Sequence, residues 1–161
     1  TAMGTRTLTL SNLGFSGNGR LEPEIIDFIS QLDVSIYVLD CMANFTAGQG
    51  LGLDEAKKRL KKAVLDIRER QSITPILILE HAGYSDGEMQ PKRMDTYIDL
   101  NNLTKEVFNE LRHMQIPFIY LLKKEEMGLN SDSYVDGTHP NDFGMIQYAN
   151  ACTKKTLEIL N

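Results

Sequence analysis

The stretch "PILILE", Pro75 to Glu80, decides the fold, because four consecutive apolar residues stand there between a proline and a carboxylate. A strand wetted on one face alternates apolar and polar residues. An unbroken apolar run of this length fits a strand covered on both faces, as in a parallel sheet between helices. "SIYVLD" (Ser35 to Asp40) has the same character, and "TLTLSNL" (Thr7 to Leu13) and "PFIYLL" (Pro117 to Leu122) are two more runs of strand length. Helical stripes lie between them. Pro23 opens one at a favoured first-turn position, with Ile25, Ile29 and Leu32 on one face. Ala56, Leu60, Ala63, Val64 and Ile67 form a second stripe, and Leu100, Leu103, Val107, Leu111 and Met114 a third. A last helix is predicted to start near Asn141 or Asp142 and to bury Met145, Tyr148, Ala149 and Cys152. The alternation of strand and helix predicts an α/β fold with a four-stranded parallel sheet and right-handed crossovers.

The chain has 161 residues, enough for one core, and shows no repeat or linker, so residues 1–161 read as a single domain. Lys and Arg number 17 against 22 Asp and Glu, a net charge of -5, and the basic residues of "KKRLKKAVLDIRER" are interspersed with acids. That argues against a nucleic-acid surface. Cys41 and Cys152 are too few for a disulfide framework and lack metal-ligand spacing, so both read as buried thiols. No apolar run approaches the ~20 residues that cross a bilayer, and no signal segment opens the chain. The expectation is a soluble chain without a membrane partner, its compartment open to secreted and periplasmic locations.

In open parallel sheets ligands sit beyond the carboxyl ends of the strands, so the segments after Leu13, Asp40, Glu80 and Leu122 are where chemistry is sought. The strongest signal is "DGTHPND", Asp136 to Asp142. Asp136, three residues before His139 in a turn, can accept a hydrogen bond from one imidazole nitrogen and leave the other as a general base. The competing reading is a capping aspartate beside a surface histidine. After "VLD", Asn44 in "CMANF" can offer its side-chain amide to a developing oxyanion, or serve as an ordinary turn asparagine. "NLGFSGNG", Asn12 to Gly19, nearly spells the G-x-S-x-G of a nucleophile elbow. Asn18 stands where the final glycine belongs, however, and too few residues precede Ser16 for the strands such an elbow follows. What remains is a glycine turn whose Gly17 N–H can face an anion. "EHAGYSDG" places His81 and Tyr84 on the same rim as substrate-contact candidates, and Tyr84 to Asp95 reads as a polar loop over it. His113 reads as solvated. A metal site from Asp40, His81, Asp136 and His139 matches no ligand spacing.

Taken together, "NLGFSGNG", "VLDCMANF" and "DGTHPNDFG" resemble, in order and over essentially the whole chain, the SGNH (GDSL-like) hydrolases, a family of esterases and acyl hydrolases. The resemblance implies a three-layer α/β/α sandwich with a flavodoxin-like parallel sheet. It also implies Gly17 and Asn44 as oxyanion-hole donors, His139 as general base and Asp136 as its partner. Of the family's G-x-N-D block only Asn44 carries over. The block that bears the family's nucleophilic serine, on the central first strand, has no counterpart before "NLGFSGNG". The expectation is therefore a chain incomplete at its amino end, with a sheet gap filled by an upstream strand or by strand exchange in a dimer. The upstream strand is favoured, since "TAMGTRT" is short for an exchanged segment.

The function expected on this basis is hydrolysis of a small-molecule or glycan ester, an acetylated sugar among them, by serine acyl transfer with no cofactor and no metal. The rival is a catalytically silent module of the same fold that binds a glycan or a protein.

Overall fold

The computed structural model describes residues 9–45 and 51–161. Its centre is β2 (Ile76–Leu79), whose four side chains are all withdrawn from water. On one side β2 pairs with β1 (Tyr37–Leu39), Tyr37 opposite Ile76 and Leu39 opposite Ile78. On the other it pairs with β3 (Ile119–Leu122), Ile76 opposite Ile119 and Leu79 opposite Leu122. Both pairings are parallel, and the strand order is β1-β2-β3.

Side chains alternate across a strand, so the sheet divides its apolar residues between two cores. Tyr37, Leu39, Ile76, Ile78 and Ile119 face a layer made by α1 (Pro23–Ile29), α2 (Leu53–Arg70) and α3 (Pro91–His113). Leu77, Leu79 and Leu122 face the other layer, α4 (Lys124–Met127) and α5 (Asp142–Leu160), with Met127, Tyr148 and Cys152 against them. The result is a three-layer α/β/α sandwich. A strand order that advances in one direction puts both crossover helices, α2 and α3, on the same face when each crossover is right-handed.

The helices form where propensity and burial agree. In α2 the whole predicted stripe, Ala56, Leu60, Ala63, Val64 and Ile67, is buried, while Asp54 and Glu55 in the first turn and Arg68 and Arg70 in the last suit the helix dipole. In α3 Pro91 occupies the first turn and Leu100, Leu103, Val107 and Leu111 are buried. The two helices are linked on their outer surface by Lys57 to Glu106 and Glu110, and by Lys61 to Glu110.

The structure corrects several expectations. The described part of the predicted strand Thr7 to Leu13, residues 9–13, is irregular and exposed, so among the described residues the sheet has three strands rather than four; Thr7 and Leu8 lie outside the described residues. A short apolar run has no conformation of its own without a ladder, and residues 9–13 pair with none of the three strands. In α1 the buried residue is Ile26, with Ile25 and Ile29 half-buried and Leu32 beyond the helix end. Met114 ends its stripe exposed. In α5 Met145 and Ala149 are exposed, whereas Tyr148 and Cys152 are partly covered. The reason is lateral: among the described residues β1 has no strand on its outer edge, and Val38, on the α5 side of the sheet, remains 45% exposed. Pro91 also starts α3 inside the segment expected as a loop, which shortens that loop to residues 84–90.

Because Ile78 is fully buried at the centre of the sheet, Ile78→Ala is expected to cost about 2–5 kcal/mol, whereas Lys61→Ala, which removes a surface ion pair, should cost less than ~1 kcal/mol. Urea denaturation of both variants checks the contrast.

Candidate active site

Parallel strands bring their carboxyl ends to one edge; the segments beyond β1 and β2 carry Asn44, His81 and Tyr84, whereas Asp136 and His139 lie between α4 and α5 and Gly17 lies before α1. After β1, a 3-10 turn (Met42–Phe45) raises Asn44, whose side-chain Nδ2 donates to the Gly19 carbonyl at 2.9 Å. That bond ties the β1 end to the glycine turn. Phe15 to Asn18 closes on an Asn18 N–H to Phe15 carbonyl bond of 3.0 Å, with Ser16 at φ 48° and Gly17 at φ 85°. Two successive left-handed residues define a primed turn. Open space surrounds the position of a Cβ on Gly17, so its φ, rather than crowding, favours glycine there. Asn44 spends one amide hydrogen on Gly19 and keeps a second.

The segment Asp136 to Gly144 is explained residue by residue. Asp136 Oδ1 accepts from the backbone N–H of Thr138 at 3.0 Å and of His139 at 2.8 Å, and Oδ2 lies 2.8 Å from His139 Nδ1. The backbone bond from His139 is the chief cause that holds the Asp136 carboxyl well below the usual carboxylate range, followed by the imidazole bond and the Thr138 N–H. An ionised Asp136 draws the proton to Nδ1 and leaves Nε2 of the exposed His139 with a lone pair. Gly137 takes φ 81° between them. Pro140 bridges back to Tyr134, and Asn141 caps α5 by accepting from the Gly144 N–H at 2.9 Å while its Nδ2 donates to the Asp132 carbonyl at 2.7 Å. At Gly144 a Cβ would stand 2.1 Å from the Ser133 carbonyl oxygen, so the helix and the loop approach more closely than any side chain permits.

At the β2 end the backbone is completed by side chains. Asn101, buried on α3, accepts from the His81 N–H at 2.8 Å and donates to the His81 carbonyl at 3.0 Å, as a neighbouring strand would. The His81 ring is 4% exposed, packed 4.7 Å from Tyr84 and 5.9 Å from Tyr97 between ring centroids. Its Nδ1 accepts from the Gly83 N–H at 2.8 Å, which assigns the proton to Nε2. Burial, with Arg93 and Lys124 adding, pushes its pKa down to about 4. Tyr84 is half-buried and lies beneath the Arg93 guanidinium at 4.2 Å. His113 is exposed on α3, with Nδ1 at 2.8 Å from the Asn109 carbonyl.

Two links join the dyad loop to the sheet edge. Tyr134 OH donates to the Ala82 carbonyl at 3.1 Å, and Tyr148 on α5 is hydrogen-bonded to Asp40 at the end of β1. The structure thus pairs Asp136 with His139 and Asn44 with the glycine turn. Among the described residues no hydrogen bond runs between the two pairs: the first is tied to the segment after β2 by the Ser85 N–H to Gly137 carbonyl bond, and the second joins the end of β1 to the glycine turn. Asp40, His81, Asp136 and His139 do not gather; among the described residues no group of three or more His, Cys, Asp or Glu could hold a metal ion. Both cysteines are half-buried, and burial pushes the Cys41 thiol up to about 12 and the Cys152 thiol to about 11, far from thiolate nucleophiles. The sequence did not point to Asp86, Arg93 or Asn101. A polar Asn101 within a buried helical stripe was the one available signal.

The fold is thus a parallel α/β/α sandwich that carries an Asp-x-x-His pair on the loop before its last helix. The chain belongs to the GDSL-like lipase/acylhydrolase family, whose profile matches residues 1–157. It is similar to the solved structure of a GDSL-like lipase from Bacteroides ovatus ATCC 8483, with 26% identity and a TM-score of 0.80 over 89% of this chain and 41% of that one. The salicylyl-acyltransferase SsfX3 from a tetracycline biosynthetic pathway shares the fold at 20% identity and a TM-score of 0.73, over 88% of this chain and 42% of that one. The chain therefore spans about two fifths of the length of these structures. No curated protein matches it.

Two outcomes follow from this geometry. Gly144→Ala must push α5 off Ser133 and should lower stability by at least ~1–3 kcal/mol, read as a fall in the urea midpoint. His81 stays neutral in the folded chain down to about pH 4, while in the unfolded chain it takes a proton near pH 6.5. Between those values the unfolded state binds the extra proton, so stability falls as pH drops, by about 3 kcal/mol in all. In His81→Gln this part of the pH dependence should vanish, as measured by denaturation at pH 7 and pH 4.5.

Proposed function

We propose that the chain forms the acid-base and oxyanion part of an ester hydrolase, acting by acyl transfer to serine on a small-molecule or glycan ester such as an acetylated sugar. The observation that carries this reading is the Asp136–His139 pair: a 2.8 Å contact at Nδ1, with the opposite imidazole nitrogen turned to solvent on an exposed ring. In the reaction a serine Oγ attacks the ester carbonyl carbon while His139 Nε2 takes its proton. Gly17 N–H and the second hydrogen of Asn44 Nδ2 donate to the oxyanion. His139 then returns the proton to the leaving alcohol, and water, deprotonated by the same imidazole, releases the acid. Asp136 keeps the tautomer and stabilises the imidazolium. The steps call on no metal or organic cofactor.

The serine is assigned to a polypeptide segment outside residues 1–161 that adds a strand to the outer edge of β1, either from the same chain or from a partner in a strand-exchanged dimer. The outer edge of β1, unpaired among the described residues, and the exposed Val38 support this placement. Tyr84 is read as the substrate-facing wall above β2, with the enclosed His81 behind it. A role in binding nucleic acid is not proposed, and no described helix is long and apolar enough to cross a membrane.

Hydrolysis of p-nitrophenyl acetate by the full-length protein tests the reading. His139→Ala should lower kcat by about 10⁴-fold or more, and Asp136→Asn by a similar order. Ser16→Ala should leave the rate in place, and residues 1–161 alone should give no acyl-enzyme burst. Labelling of Ser16 by a fluorophosphonate, or an unchanged rate in His139→Ala, would overturn the assignment.

A further inference from the structure

The Asp136–His139 turn is exposed on its outer side, and its hydrogen bonds to itself do not say what fixes it against the body of the protein. Beneath it lies Asp86, on the loop between β2 and α3. A Cβ at Gly137 would stand 2.7 Å from the Asp86 Cγ and 2.8 and 3.0 Å from its two oxygens, so the turn rests on this carboxylate. Ser85 N–H donates to the Gly137 carbonyl at 3.0 Å. Arg93, in the first turn of α3, completes the contact: its Nη1 meets Asp86 Oδ2 at 2.6 Å and its Nη2 donates to the Thr138 hydroxyl. Tyr84 lies flat against the other side of the guanidinium, and Gln90 Nε2 donates to Asp86 at 2.6 Å.

We infer that Arg93 is a positioning residue, a guanidinium bridge that holds the Asp136–His139 turn to α3 through Asp86 and Thr138. This rests on the reading of His139 as general base, but the geometry stands apart from it. The planar fork of arginine suits a bridge between two acceptors, one on each side of the turn; lysine is a single point charge and satisfies one of them. Thr138 and Gly137 lie between Asp136 and His139 in the chain, so motion of their backbone misaligns both partners. Misplacement of catalytic groups by ~1 Å costs on the order of 100-fold in rate. Asp86 is also a charge brought close under the turn, and Arg93 neutralises it there.

The test uses two readouts. First, ¹⁵N shifts of the His139 ring in uniformly labelled protein report its tautomer, with exposed His113 on the same helix as Arg93 as the internal control. In the parent protein the Nδ1–H form should dominate. In Arg93→Ala and in the milder Thr138→Val, His139 should move towards the mixture of a free histidine while His113 does not change. Second, in the full-length enzyme Arg93→Ala should lower kcat on p-nitrophenyl acetate about 10- to 100-fold with KM within about twofold, and Arg93→Lys should recover part of it. A folded Thr138→Val or Arg93→Ala protein that keeps the parent tautomer overturns the positioning role. If the parent enzyme shows no His139-dependent hydrolysis while the tautomer shifts as described, the positioning role holds and the esterase reading is what fails.

Discussion

The four side chains of β2 have no contact with water, and the rest of the molecule follows from keeping them so. A strand in that state needs a neighbour on each edge and a helix layer on each face, or it exposes apolar area worth ~25 cal/mol for every Å² and leaves backbone groups unpaired. β1 and β3 supply the edges, α2 and α3 one face, and α4 with α5 the other. Parallel pairing then forces long crossovers and gathers the strand ends at one rim. The location of the candidate site is thus a by-product of covering Ile76 to Leu79.

Where the sheet stops, polar side chains take over its backbone hydrogen bonds. The Asn101 amide occupies both polar groups of His81, the buried Glu80 carboxylate accepts from the Lys124 N–H at 2.8 Å, Tyr134 donates to Ala82, and Asn44 donates to Gly19. Each bond replaces a rung that another strand would provide, and each also fixes a loop on the rim. Rigid supports of this kind let an exposed turn present a histidine in one orientation, since the entropy of ordering the turn is met by contacts below it rather than by the reacting groups.

The two faces of the sandwich are not covered equally. The layer of α1, α2 and α3 closes over Tyr37 and Leu39, whereas α5 leaves Val38 and its own Phe143, Met145 and Ile146 in water. Of these residues Val38 lies on β1, an edge strand among the described residues. A strand paired to that edge would satisfy its backbone groups and, with a helix after it, shield Val38 from water.

Much of this was legible in residue order. The β2 and β3 runs, the α2 stripe, the start of α5 at Asn141 and the Asp136–His139 pair each depend on neighbours within a few positions, and local spacing suffices to specify them. Thr7 to Leu13 could not be decided in that way, because its apolar residues have the strand pattern whether or not a ladder exists to join, and only the tertiary structure shows residues 9–13 unpaired. Met145 and Ala149 likewise carry a helical apolar period that says nothing about whether a second helix lies alongside. Arg93 and Thr138 stand 45 positions apart, with Asp86 seven before the arginine, and nothing in any one of them announces the others. Sequence by itself determined the alternation of elements and the pairing of Asp136 with His139, since both are short-range. Which strands meet, which faces stay open and what holds the turn in place were decided only by the packed chain, because those contacts join residues whose proximity no local pattern encodes.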